Sequence, residues 1–262
     1  MTLIIGLGTA MALVVYSILL GGADKLIGFL HFPSALITFG GAIFSTIAMC
    51  PSFGVFIARL KSITLAMKKT DLNQQGVIQQ IIDLANVARK EGLLSVEEAA
   101  NSIEERFLKK GILLIVDGTD PELVRSILEN EIDCINSRHK DKIGFWEDLA
   151  TMGPAWGMIG TLIGLINMLS ELSDVSSVGP NMSTALVTTF YGSILANWIC
   201  TPVANKLKQM NAEEIMMKDM MVEGILSIQA GENPRVIEEK LKSFLNTSQQ
   251  DGMSEKAGEE SE

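Results

Sequence analysis

The sequence predicts an all-α integral membrane protein: four transmembrane helices, with a helical cytoplasmic domain between helices 2 and 3. Three observations lead to this class. Four stretches, Thr2–Leu20, Phe32–Pro51, Leu149–Ser170 and Val178–Val203, contain no Asp, Glu, Lys, Arg or His. Each holds about 20 residues, enough to cross a hydrocarbon core of about 30 Å as a helix. Backbone groups in lipid must pair internally, which selects helices over open strands. Finally, of 21 Lys and Arg only Lys25 lies in the short connections Gly21–His31 and Glu171–Gly179.

The other basic residues fall in Phe53–Asp148 or from Lys206 onward, with Arg59, Lys61, Lys68 and Lys69 just after the second span. The positive-inside rule therefore places both termini and the long central segment in the cytoplasm. The first span lacks a basic leading region and is long for a signal sequence, so it reads as a retained helix. The predicted organisation is 1–52 for helices 1 and 2, 53–147 for the cytoplasmic domain and 148–205 for helices 3 and 4. Cytoplasmic helices follow at 206–245, then a disordered acidic tail at 246–262.

Within the central segment, QQGVIQQIIDLANVARKEG repeats apolar residues at helical spacing and stops at Gly92. Ser95 and Glu98 have capping-box spacing, opening a helix expected to end at Gly111. Asp120-Pro121 and Asn233-Pro234 each read as a cap followed by a proline at the first helical position. Between them, Met210, Met216, Met217, Met220 and Met221 look like an amphipathic continuation of the fourth span.

The net charge of −10 lies mostly on the cytoplasmic parts, which argues against nucleic acid as a partner. Cys50, Cys134 and Cys200 show no paired spacing and read as small packing residues. His31 and His139 lack metal-ligand spacing, so no metal or cofactor is expected. No nucleophile–base pair or phosphate loop is visible, so the chain does not read as an enzyme.

The third and fourth spans are unusual. Gly153, Gly157, Gly160 and Gly164 share one face of the third, a pattern that suits close helix packing in lipid. Pro154 and Pro202 each remove an N–H and free the carbonyl four residues earlier. Thr161 lies two turns beyond Pro154 on the same face. The fourth span carries Ser183, Thr184, Thr188, Thr189, Ser193, Asn197 and Thr201. Some of these hydroxyls bond back to their own helix. So many in one span imply a wet or partner-facing surface. Polar groups at membrane depth usually mark function. A neutral oxygen cluster helps bind a proton carrier or a dehydrated cation without neutralising it, which leaves the neutralising charge to a second chain.

GPAWGMIGTLIGLINML and ALVTTFYGSILANWICTPVANKL resemble the third and fourth spans of the flagellar stator A subunit family, MotA/PomA-like. RKEGLLSVEE in the central segment resembles the same family. The resemblance implies a homopentamer around two B-type subunits (MotB/PomB-like), whose single membrane helices carry an essential Asp. Flow of H+ or Na+ through that Asp then drives torque on the rotor protein FliG. It further implies ion-path roles for Thr161, Thr189, Pro154 and Pro202, and rotor contact by Arg89, Glu97 and, more loosely, Glu131. Many proton-driven members keep only one of the two threonines, so both ions stay open. Trp156 stands where the family usually has Phe.

Arg89 at the end of one helix and Glu97 at the start of the next also complement helix dipoles, worth roughly 0.3–1 kcal/mol each. An exposed charged contact suits a repeating cycle, because one ion crossing about 150 mV releases roughly 3–4 kcal/mol. Exposed ion pairs cost only roughly 0.2–1 kcal/mol each to break. The related TolQ/ExbB type, which energises envelope processes, generally has three spans and an outside amino terminus. A membrane scaffold without ion flux leaves the buried hydroxyls and paired prolines unexplained.

Overall fold

The computed structural model describes residues 2–22, 25–68 and 73–245, with Thr247 and Gln250 beyond them. Lys69 and, apart from those two residues, the acidic tail predicted for 246–262 lie outside the described residues. The order is α1 Thr2–Leu20, α2 Lys25–Gly28, α3 Phe32–Ala35, a π segment Leu36–Gly40, α4 Gly41–Met49, α5 Phe53–Leu60 and α6 Ile63–Met67. Then come α7 Gln74–Glu91, a 3₁₀ turn Leu93–Ser95, α8 Val96–Ala100, α9 Arg106–Val116 and α10 Pro121–Ser170. The chain ends with α11 Val175–Ser193, a second π segment Ile194–Cys200, α12 Thr201–Gln229 and α13 Pro234–Lys242. No strand occurs among the described residues.

Two compact units divide the chain: residues 1–69 with 139–210, and residues 70–138 with 211–262. The chain passes between them inside α10 and inside α12.

Three segments of the first unit are long and apolar enough to cross a membrane: Thr2–Leu20, Leu26–Met49, and a window within Pro121–Ser170. The region Val178–Val203 is helical throughout, but its hydroxyl and amide side chains dilute its apolarity. α1 buries none of its residues, and a hydrogen bond from Trp198 Nε1 to the Leu7 carbonyl, 2.8 Å, ties it to the rest. The core of this unit gathers Phe56, Phe145, Trp146, Leu149, Leu195 and Val203. Phe145 meets both Phe56 and Trp146 edge-on at 5.5 Å, the geometry that ring quadrupoles favour. Cys200 is buried there and Cys50 half-buried, but Cys134 on α10 is exposed, so it is not the packing residue expected.

The glycine face of α10 lies against the backbone of α11. A Cβ on Gly157 would sit 2.9 Å from the Thr188 carbonyl, and one on Gly153 3.0 Å from that of Gly192. On Gly164 it would meet the Asn181 carbonyl at 2.7 Å and the Ala185 nitrogen at 2.8 Å. Gly192 returns the contact, its absent Cβ standing 2.6 Å from the Gly153 carbonyl. These glycines permit a backbone approach that no side chain would allow.

The second unit packs by ordinary burial. Ile78, Ile81, Leu108, Ile112, Leu128, Met220, Met221, Ile225 and Leu241 are fully buried, each worth about 1.5–3 kcal/mol. Met217, Met220 and Met221 fill this core, as the amphipathic reading of the Met-rich segment expects. α7 ends at Gly92, whose φ of 88° is in the left-handed region that suits glycine. Asp120 Oδ1 accepts from the Glu122 and Leu123 nitrogens at 3.0 and 3.4 Å, and Asn233 Oδ1 from that of Arg235 at 3.1 Å.

Two expectations fail here. Ser95 closes a 3₁₀ turn and donates to the Glu91 carbonyl at 3.0 Å, so no capping box forms. Gly111 does not end a helix: it lies buried inside α9, where a Cβ would strike Ile225 of α12. The helix instead breaks between α8 and α9, and Glu105 caps the restart by accepting from the Phe107 nitrogen at 3.3 Å. Lys218 is 9% exposed, held 3.7 Å from Glu105 and 3.8 Å from Glu214, and lies over the Phe107 ring at 4.9 Å.

Glu232 and Lys240 pair at 2.7 Å. The lysine's hydrogen bond holds the Glu232 carboxyl below its ordinary range, and the carboxylate raises the ammonium. Burial, then Glu129 and Asp133, push the Asp219 carboxyl the other way.

Gly164→Val should force α10 and α11 apart and cost about 1–3 kcal/mol or more, as overpacking does. A lower thermal midpoint of the protein in lipid nanodiscs checks this, and an unchanged midpoint contradicts it. The depressed Glu232 carboxyl stabilises the fold above the ordinary glutamate value of about 4.3. That contribution disappears as pH falls through the lower folded value. Glu232→Gln should therefore flatten the loss of urea stability below about pH 4.3, and an acid limb parallel to that of the unsubstituted protein would refute the pairing's role.

Candidate functional site

The close packing of α10 and α11 brings Thr161 and Thr189 together, their hydroxyl oxygens 2.5 Å apart. Thr161 Oγ1 also lies 3.1 Å from the carbonyls of Gly157 and Ala185, and Thr189 Oγ1 3.4 Å from that of Ala185. Each hydroxyl has one proton to donate and two lone pairs. One proton bridges the pair and the other goes to a backbone carbonyl, leaving lone pairs for a cation or a proton carrier. Thr189 is exposed and Thr161 half-buried. Ser193, Asn197 and Thr201 follow Thr189 at spacings of four, all exposed, with Asn197 Nδ2 donating to the Ser193 carbonyl at 3.2 Å.

Pro154 lies inside α10 and is exposed. Pro202 is half-buried at the start of α12, directly after the π segment. There the Thr201 N–H reaches back five residues to the Ala196 carbonyl, a wide turn of the kind found at functional sites. Thr184 and Thr188 bond back within α11, to the Pro180 carbonyl at 3.1 Å and the Thr184 carbonyl at 3.0 Å.

The second span supplies residues that sequence reasoning missed. Buried Ser34 Oγ lies 3.3 Å from the Thr184 carbonyl, and buried Thr38 donates to the Thr188 carbonyl at 3.2 Å. Tyr191 accepts from the His31 N–H at 3.1 Å and donates to the Phe29 carbonyl. His31 Nδ1 caps α3, lying 2.7 Å from Ser34 Oγ and 3.4 Å from the Ser34 nitrogen. The visible signal is the matched spacing of four between Ser34 and Thr38 and between Thr184 and Thr188. Trp156 lies flat on Gly41 and donates to Ser45 Oγ at 2.8 Å, so the indole uses a hydrogen bond that Phe cannot make.

In the second unit, Arg89 is exposed in the last turn of α7 and Glu97 in the first turn of α8. Between them the Gly92 turn carries Leu94, 76% exposed. Neither charge enters an ion pair among the described residues. Glu131 differs, because its carboxylate is already paired with Lys110 at 2.5 Å. No cluster of metal-ligating side chains occurs among the described residues.

Residues 99–220 match the MotA/TolQ/ExbB proton channel family. Motility protein A of Treponema pallidum is 38% identical over 245 residues, covering 92% of each chain. Chemotaxis protein PomA of Vibrio alginolyticus is 39% identical over 244 residues, 93% of this chain and 94% of its own. The flagellar MotAB stator complex from Bacillus subtilis superposes with a TM-score of 0.85 at 28% identity, over 95% of this chain and 97% of that one. The chain belongs to the motility protein A family, within the MotA/TolQ/ExbB proton channel family.

Proposed function

We propose that this chain is a stator subunit of the bacterial flagellar motor, coupling H+ or Na+ flow across the cytoplasmic membrane to torque on the rotor. One observation carries the reading: a hydroxyl pair, Thr161 and Thr189, opens outward from a membrane segment that holds no charge. A carboxylate from a B-type partner, MotB/PomB-like, would complete the site. The relative solved as a MotAB complex supports that partner. The chain then works by transport and movement, with no covalent chemistry of its own. Copies arranged as a homopentamer would turn that surface inward onto the partner helix. Pro154 and Pro202 keep the ion-path helices locally pliable there. Both termini face the cytoplasm on this reading, and the short connections face outward.

Arg89 and Glu97, exposed and unpaired among the described residues, are the charges offered to the rotor protein FliG. Glu131 already has Lys110, so it would act as part of that pair. Swimming speed with and without sodium, at fixed membrane potential, separates the two candidate ions.

Thr189→Val removes the hydroxyl at nearly constant volume. Swimming should stop while the subunit still reaches the membrane and co-purifies with its partner, and normal swimming would exclude the threonine from the path. Thr189→Ser should restore movement. Arg89→Glu exchanges attraction for repulsion at an exposed contact, roughly 1 kcal/mol, so rotor engagement should fall about five-fold. Torque measured on tethered cells should recover in part with a compensating rotor charge; torque unaffected by the reversal would rule out this contact.

A further inference from the structure

His31 and the Thr161–Thr189 pair lie at opposite ends of one continuous hydrogen-bond chain. His31 Nδ1 lies 2.7 Å from Ser34 Oγ, which lies 3.3 Å from the Thr184 carbonyl. That carbonyl accepts from Thr188 Oγ1 at 3.0 Å, and Thr188 Oγ1 also lies 2.9 Å from the Ala185 carbonyl. The Ala185 carbonyl in turn lies 3.1 Å from Thr161 Oγ1 and 3.4 Å from Thr189 Oγ1, within reach of the one proton that does not bridge the pair. Ser34 and Thr188 are buried, so bulk water does not compete for these links.

Ser34 has a single hydroxyl proton and two acceptors within reach. With neutral His31 holding its proton on Nε2, Ser34 donates to Nδ1 and leaves the Thr184 carbonyl to Thr188. Protonation puts a proton on Nδ1, which then donates to Ser34 Oγ, and the Ser34 proton turns to the Thr184 carbonyl. The Ser34 N–H loses its cap acceptor in the same event. A second donor on the Thr184 carbonyl weakens the hold of Thr188, whose proton shifts toward Ala185 and competes there with Thr161 and Thr189. Histidine is the side chain whose charge changes between about pH 5 and 8. Among the described residues, the elements around this turn contribute few other titratable groups: Tyr191 on α11, Asp174 at its cap, Glu171 bonded to Asn181 of α11, and Tyr16 on α1.

We propose that His31 is a proton-responsive regulator of the ion path, acting through Ser34, Thr184, Thr188 and the Ala185 carbonyl on the paired threonine hydroxyls. The proposal rests on the reading above that those hydroxyls line the path and that the connection holding His31 faces outward. His31 and Ser34 act as positioning residues; neither needs to touch the ion.

The chain has 2 histidines, so with this chain alone carrying the label, His139→Gln leaves His31 as its sole imidazole in ¹⁵N-histidine spectra of the stator complex in bilayers. Neutral His31 should show an unprotonated Nδ1. In cells, swimming speed at fixed ion-motive force should step by about threefold, the factor one interhelical hydrogen bond supplies, as external pH crosses the imidazole titration. Ser34→Ala should flatten the step while His31 still titrates, and His31→Asn, which keeps a cap acceptor, should flatten it too. A step that survives Ser34→Ala, a neutral imidazole carrying its proton on Nδ1, or an equal slowing at every pH overturns the relay. A step that follows cytoplasmic rather than external pH keeps the relay and overturns the assigned orientation.

Discussion

Everything at the paired threonine hydroxyls depends on how closely two backbones approach. Lipid tails are as apolar as leucine, so burial does little to hold membrane helices together; shape and polar ties decide. Gly153, Gly157, Gly160, Gly164 and Gly192 remove the side chains that would keep α10 and α11 apart. Contact at this range sets the Thr161 hydroxyl against Thr189 and the Ala185 carbonyl. The glycines and threonines form one device, in which the first group supplies distance and the second supplies chemistry.

The polar ties in the membrane segments are neutral. Ser34 and Thr38 bond α11 carbonyls from the second span, and Trp156 and Trp198 reach Ser45 and the Leu7 carbonyl. Such bonds satisfy buried donors without the cost of stranding a charge in hydrocarbon. They also leave the one open row of oxygens, on the α11 side, without a counter-charge of its own. The second unit follows a different logic, with an aliphatic core and charges kept on its surface or paired, as Lys218 and Lys240 are.

Much of this was legible in the sequence because the signals were strong and local. Charge-free runs marked helices, three of them long and apolar enough to cross a membrane, the glycine spacing marked the packing face, and Asp120-Pro121 and Asn233-Pro234 marked helix starts that the structure contains. Failures came where tertiary contacts overrode local grammar. Gly111 looked like a stop, but it is a gap for Ile225, more than a hundred residues away in the chain. Ser95 has the right partner spacing, yet the 3₁₀ turn folds it back and its hydroxyl goes to the Glu91 carbonyl at the end of α7. Ser34 and Thr38 give no signal in a local window because their partners sit 150 residues away, and metal spacing, the test applied to His31, does not reveal its place beside Tyr191, 160 residues on. Arg89 and Glu97 were suggested by likeness, since helix dipoles alone explain a cation at one end and an anion at the other.

The π segment Ile194–Cys200 has a geometric consequence for the row Thr189, Ser193, Asn197. In a plain α-helix, four residues overshoot one full turn by about 40°, so positions spaced by four wind progressively around the cylinder. A π turn holds more residues, because its bonds span five, and it lags where the α-helix overshoots. One segment of each in succession cancels the winding. The oxygens consequently stay in line down the helix, a straight track along which a guest could pass from rung to rung without circling the rod.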